Sequence, residues 1–251
     1  MLISAAVCPH PPILVPAMAG EAAPELDGLR AACDEAVRRL GVPYADARVR
    51  PPRLGAPGVD ALIVVGGASK TGVYGPDAYA TLRPYGLDWT SRVSAKAATG
   101  EGQALPLSLT IGRWLLQRSG VDLDAHYQAV AFDAEPEDCL RLGQELAASA
   151  ERVALLVMGD GSACRSEKAP GYLDERAEPY DASVARALRH ADTSALAAAE
   201  PELSRELQAA GRAAWQVLAG AAGAPGGFTA ELLADDAPYG VAYLVATWSR
   251  A

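Results

Sequence analysis

Only 3 histidines occur among the 251 residues. One of them, His10, lies in Cys8-Pro9-His10-Pro11-Pro12, directly after the apolar run 2–7. An imidazole can ligate a metal or move a proton near neutral pH, and flanking prolines fix the backbone that presents it. The apolar run predicts a first β-strand, so His10 falls where a strand ends. Open α/β sheets bind their ligands at that edge. A histidine that only packs or caps a turn fits the same spacing, and its company in the fold decides between the two.

The densest polar cluster at another strand end follows the apolar run 153–158. It comprises Asp160, Ser162, Cys164, Arg165, Glu167 and Lys168, with Asp174, Glu175 and Arg176 beyond. If both segments leave the same sheet edge, His10 and this cluster share a cleft; a solvated loop is the alternative. Ser162 follows Gly161, but Cys164 stands where a G-x-S-x-G nucleophile elbow needs glycine. Gly66-Gly67-Ala68-Ser69-Lys70-Thr71 lacks the glycine before lysine and the length of a phosphate-binding loop, and reads as a tight turn. Cys8 and His10 fall on one face of an extended chain, and with Cys164 they could form a thiolate–imidazole metal site. Core cysteines are the plainer reading. His126, before a third strand, could border the cleft or sit on the surface.

The elements that must hold these residues alternate. Leu26, Leu29, Cys33, Ala36, Val37 and Leu40 form one helix stripe ending at Gly41. Residues 43–58, with prolines at 43, 51, 52 and 57, read as an irregular loop. A strand at 61–65 is stopped by Gly66-Gly67, and 68–106 reads as a long loop with one or two short strands. Helices are predicted at 107–118, 136–150, 182–190 and 201–219, and strands at 128–132, 153–158, 228–233 and 240–247. This alternation predicts one α/β domain over 1–251, with a mixed, mostly parallel sheet flanked by helices.

Half of the residues are hydrophobic, ample for such a core, and the net charge is −9. Without a basic run, that charge argues against nucleic acid as a partner. No stretch approaches the roughly 20 apolar residues of a membrane span. The 4 cysteines contain no C-x-x-C pair and read as reduced thiols, so the expected location is the cytoplasm.

Val7-Cys8-Pro9-His10-Pro11-Pro12-Ile13-Leu14-Val15-Pro16 resembles the opening of the catalytic B subunits of class III extradiol ring-cleavage dioxygenases. The strand 62–65 before Gly66, Val157-Met158-Gly159-Asp160-Gly161 with Tyr180-Asp181, and Ala210-Gly211-Arg212-Ala213-Ala214-Trp215 extend the likeness over most of the chain. It looks nearest to an uncharacterised actinobacterial branch of proteins similar to those catalytic subunits, through Gly159-Asp160-Gly161-Ser162 and Glu167-Lys168-Ala169-Pro170-Gly171-Tyr172-Leu173-Asp174. The resemblance implies that extradiol dioxygenase fold, and a homodimer or partner subunit. It also implies an Fe(II) cofactor held by two histidines and a glutamate, with a further histidine as acid/base. His10 matches the first ligand. The second position corresponds to Ala68-Ser69-Lys70, the carboxylate to Gly211 or Arg212, and the acid/base to Cys164-Arg165. A single imidazole does not retain Fe(II), and Arg165 stays charged rather than titrating.

Three functions fit this reading. One is a diverged member that binds a small, anionic or carboxylate-bearing molecule or does other chemistry in the ancestral cleft. His10 and Arg165 would then be its catalytic groups, and Asp160, Ser162, Cys164, Glu167 and Lys168 its contacts. The others are an active Fe(II) ring-cleaving dioxygenase and a non-catalytic interaction protein.

Overall fold

The computed structural model describes residues 1–42, 58–93, 102–121 and 123–251. The proline-rich segment 43–57 lies outside the described residues, as does 94–101 of the loop expected over 68–106. In chain order the elements are β1 (Leu2–Cys8), α1 (Pro16–Ala19), α2 (Asp27–Arg38), β2 (Ala61–Ala68), β3 (Gly72–Tyr74), β4 (Tyr79–Thr81), β5 (Thr90–Arg92), α3 (Leu107–Arg118), β6 (Ala125–Ala131), α4 (Pro136–Ala148) and β7 (Val153–Met158). Then come α5 (Ala177–His190), α6 (Thr193–Ala197), α7 (Pro201–Glu206), α8 (Arg212–Ala222), β8 (Phe228–Asp236) and β9 (Tyr243–Arg250). Two turns of 3-10 helix, Pro12–Leu14 and Gly20–Leu26, flank α1.

A seven-stranded sheet in the order β3-β6-β2-β7-β1-β9-β8 carries the fold. β6, β2, β7 and β1 run parallel, while β3, β9 and β8 are antiparallel to their neighbours. β4 and β5 pair separately. Helices cover both faces, which is why the parallel strands read as unbroken apolar runs rather than alternating ones. On one face Val7, Ile63, Val65, Leu155 and Val157 pack with residues of α4, α5, α6 and α8. On the other, Ala6, Cys8, Leu62, Val64 and Leu156 pack with residues of α2 and α3. The expected α/β sheet flanked by helices is therefore present, and among the described residues no helix is long and apolar enough to cross a membrane.

Several boundaries differ from the sequence reading. β2 does not stop at Gly66-Gly67 but runs through them to Ala68, because these positions give room to neighbours. A Cβ on Gly66 would lie 2.5 Å from Ser108 Oγ, and one on Gly67 would enter the Phe132 ring. Within the stretch 68–106, the described residues hold three short strands, β3 to β5. β6 begins at Ala125 rather than 128, since its polar start is paired along β2. α5 begins at Ala177 instead of 182: Pro179 is tolerated in a first helical turn, and the chain turns in through Ala177 N–H to Asp174 O at 3.0 Å. The helix expected over 201–219 is two. Gln208 adopts a left-handed φ of 54° after α7, and Ala209 N–H closes the turn on Ser204 O at 2.8 Å. β8 and β9 run to Asp236 and Arg250, and β9 begins at Tyr243, after the Pro238-Tyr239-Gly240 turn.

Candidate functional site

The parallel ladder between β1 and β7 ends at the pair Cys8 and Met158, closed by Gly159 N–H donating to Cys8 O at 2.9 Å. There the two chains part. β1 continues towards the face covered by α2, and β7 towards the face covered by α5. Adjacent parallel strands whose chains leave to opposite faces open a crevice at their carboxyl ends. His10 and Asp160 occupy that point.

Asp160 Oδ1 accepts the His10 backbone N–H at 2.7 Å. The same oxygen lies 3.7 Å from His10 Nδ1, with the two side chains 6% and 14% exposed. That separation is too long for a hydrogen bond, and buried Nδ1 has no partner among the described residues. Asp160 also ties in α8, because its carbonyl accepts Gly211 N–H at 2.8 Å. Burial pushes the Asp160 carboxyl above the usual carboxylate range, while the His10 imidazole and N–H pull the other way. Tyr243, on β9, is raised by burial first and by the Asp160 charge second. A buried carboxyl beside an imidazole whose Nδ1 is unclaimed leaves two polar groups that a bound molecule can engage.

The other predicted residues separate into groups. Ser162 is fully buried, and its N–H and Oγ donate to Asp181 Oδ1 and Oδ2 at 2.8 and 2.6 Å. The hydroxyl thus faces a carboxylate rather than a general-base imidazole. Burial raises the Asp181 carboxyl, opposed by its bonds from Ser162 and Arg165. Arg165 turns to Asp181 at 3.4 Å and Glu178 at 3.8 Å, so its charge is met within the protein. Cys164 is not turned towards an imidazole: Sγ lies 3.5 Å from the carbonyls of Gly171 and Leu207, and burial raises its thiol. Cys8 is buried on the α2 face with Cys33. The thiolate–imidazole grouping therefore does not assemble, because Cys164 packs between Gly171 and Leu207 on one face of the sheet and Cys8 into the core on the other. Glu167 and Lys168 are exposed. His126 is exposed near the start of β6, opposite Ile63 of β2, at the far end of the sheet from His10.

The other positions that the resemblance pointed to do not supply an iron site. Ser69 and Lys70 are exposed beyond β2. Arg212 donates to the carbonyls of Phe132 and Ala134 and to Gln216 Oε1, at 2.6, 2.5 and 2.9 Å. A guanidinium offers donors and a fixed positive charge where a metal needs an anionic acceptor. Among the described residues no three His, Cys, Asp or Glu side chains gather as a metal site. The donor set does not fit Fe(II).

Sequence reasoning passed over Tyr243, and singled out Gly211 only as a position matching the family's carboxylate ligand. The glycine before a Trp-bearing helix was the one signal available for Gly211; its bond to Asp160 spans 51 positions (211 − 160) and leaves no local pattern.

No protein-family model matches the chain, and no curated protein matches its sequence. Among solved structures it is similar to an uncharacterized protein, JW3007, from Escherichia coli K12. That likeness covers 98% of this chain and 99% of the other, with a TM-score of 0.53 and 13% identity. At such identity it shows the fold alone.

Proposed function

We propose that the protein is a diverged relative of the catalytic subunits of class III extradiol dioxygenases. In this reading it has kept the fold and the first-ligand histidine, and uses His10 and Asp160 without iron to bind a small polar molecule. The observation that carries the reading is the buried, unpartnered His10 Nδ1 beside a carboxyl whose proton burial favours. Two groups that can trade a proton at a crevice are arranged for a ligand that gives or accepts one. Arg165, paired with Asp181 and Glu178, supports the neighbouring loop rather than contacting the ligand. The setting is the cytoplasm, where four buried thiols stay reduced.

The test joins two measurements. Protein reconstituted anaerobically with Fe(II) and desalted should hold no stoichiometric iron and cleave no member of a catechol panel. In a thermal-shift screen of small polar metabolites, the shifts of true ligands should disappear in His10→Ala and Asp160→Asn. Retained iron with ring cleavage would overturn the proposal, as would ligand shifts that both substitutions leave intact.

A further inference from the structure

A cavity of about 440 Å³ opens on the same sheet edge with neither His10 nor Asp160 in its wall. The β6–α4 connection, α7 and the start of α8 line it. Phe132, Pro201, Ala209 and Ala210 give it apolar surface, and Phe132 is 48% exposed, a large apolar side chain left uncovered. Arg212, in the same wall, is 2% exposed.

The bonding of Arg212 is incomplete. Its three hydrogen bonds go to two backbone carbonyls and an amide oxygen, so none of these partners is a carboxylate. A guanidinium carries five N–H donors; Nε–H here is buried and meets no acceptor among the described residues. A buried cation left with an unused donor is costly, and a carboxylate forked by an arginine edge is its best-matched partner. Arg212 also begins α8, whose first amides no side chain caps, and the positive end of a helix adds to the attraction for an anion.

The acids of the pocket lie differently. Glu202 is bound to Arg205 through Nε at 3.2 Å. Asp133 and Glu135 are both exposed, at the mouth. A positive base, apolar walls and a negative mouth select one charge at one end of the ligand and repel a second at the other.

We propose that this pocket binds a small monocarboxylate with an apolar body, its carboxylate forked by Arg212 and its body against Phe132. The site is independent of the His10–Asp160 pair.

Calorimetric titration with three six-carbon probes tests it. Hexanoate should bind at millimolar concentration or better, while hexanamide, without the charge, should bind about tenfold more weakly or less. Adipate should also bind more weakly than hexanoate, and Asp133→Asn with Glu135→Gln should narrow that gap. Arg212→Lys should abolish binding; because Arg212 also anchors the loop at Phe132 and Ala134, the exposed Phe132→Ala serves as a second variant and should weaken hexanoate several-fold. His10→Ala should leave hexanoate affinity unchanged. Equal affinity for hexanoate and hexanamide, indifference to Phe132→Ala, or no hexanoate binding at all would overturn the assignment.

Discussion

α4 and α8 cross backbone against backbone, and the glycine at the crossing gives a measurable test of how α8 is held. A Cβ on Gly143 would run into the Val217 carbonyl oxygen and lie 2.6 Å from Ala221 N, and one on Gly220 would run into the Leu140 carbonyl oxygen. Ordinary contacts need about 3.5 Å, so Gly143→Ala must part the helices by at least about 1 Å, which forfeits about half of each facing contact. Overpacking of this kind costs about 1–3 kcal/mol, and receiving backbone has no rotamer to yield, which favours the upper end. The better helix propensity of alanine returns about 1 kcal/mol. The net loss of about 2 kcal/mol lowers Tm by about 4–8 °C in a domain this size, read by calorimetry and by urea unfolding at unchanged m. Gly28, exposed on α2, has nothing within 4 Å of an added Cβ; Gly28→Ala should stabilise by about 0.5–1 kcal/mol. Wild-type stability in Gly143→Ala, or equal losses in both variants, would refute the argument.

Three other outcomes follow from the site. The Asp160 carboxyl titrates above the ordinary range near about 4, so the native state holds that proton more tightly than the unfolded chain. Its contribution is full below pH of about 4 and is lost as pH rises through the raised folded value. The urea midpoint of Asp160→Asn should therefore gain on wild type as pH rises above about 4; a constant or shrinking difference contradicts this. Ser162→Ala deletes a buried hydroxyl bond to Asp181 at 2.6 Å and should cost about 1.5–3 kcal/mol by urea unfolding, whereas a neutral result would mean the pair adds nothing. Cys8, Cys33, Cys139 and Cys164 are free and buried, and burial raises the Cys139 and Cys164 thiols. Intact mass should show no iodoacetamide adducts on native protein and four in urea, because the thiolate is the reactive form; native labelling would show an accessible thiol.

The fold was legible where both faces of a strand are buried. Val153 to Met158 and the core of β2 announce themselves as apolar runs, and the stripe through Leu29, Cys33 and Val37 marks α2. Breaks fixed by distant bonds were not legible. Leu207-Gln208-Ala209-Ala210 has ordinary helical composition, yet the helix breaks at left-handed Gln208, with Leu207 O bonded to Ala163 N–H and Gly211 N–H to Asp160 O on either side. The site was legible in part. His10 follows from a strand end between prolines, and the sheet edge it shares with Asp160 from parallel order. Charged residues near in sequence gave no guide to direction: Arg165 turns to Asp181, and Glu167 and Lys168 to water. Gly66-Gly67 looked like a stop only because the ring and hydroxyl that need the space lie on other elements.

The position of β1 between β7 and β9 also bears on how the protein is made. Ala5 is paired with Leu155 on one side and with Trp248 on the other, so both edges of β1 wait for chain synthesised far later. A nascent chain carries this apolar strand unpaired while most of the sheet is absent, the condition under which exposed edges invite misassociation. Pairing of such high contact order is slow. His10 meets Asp160 only once β7 has docked on β1, so a spectroscopic probe at that pair would report when the centre of the sheet has closed.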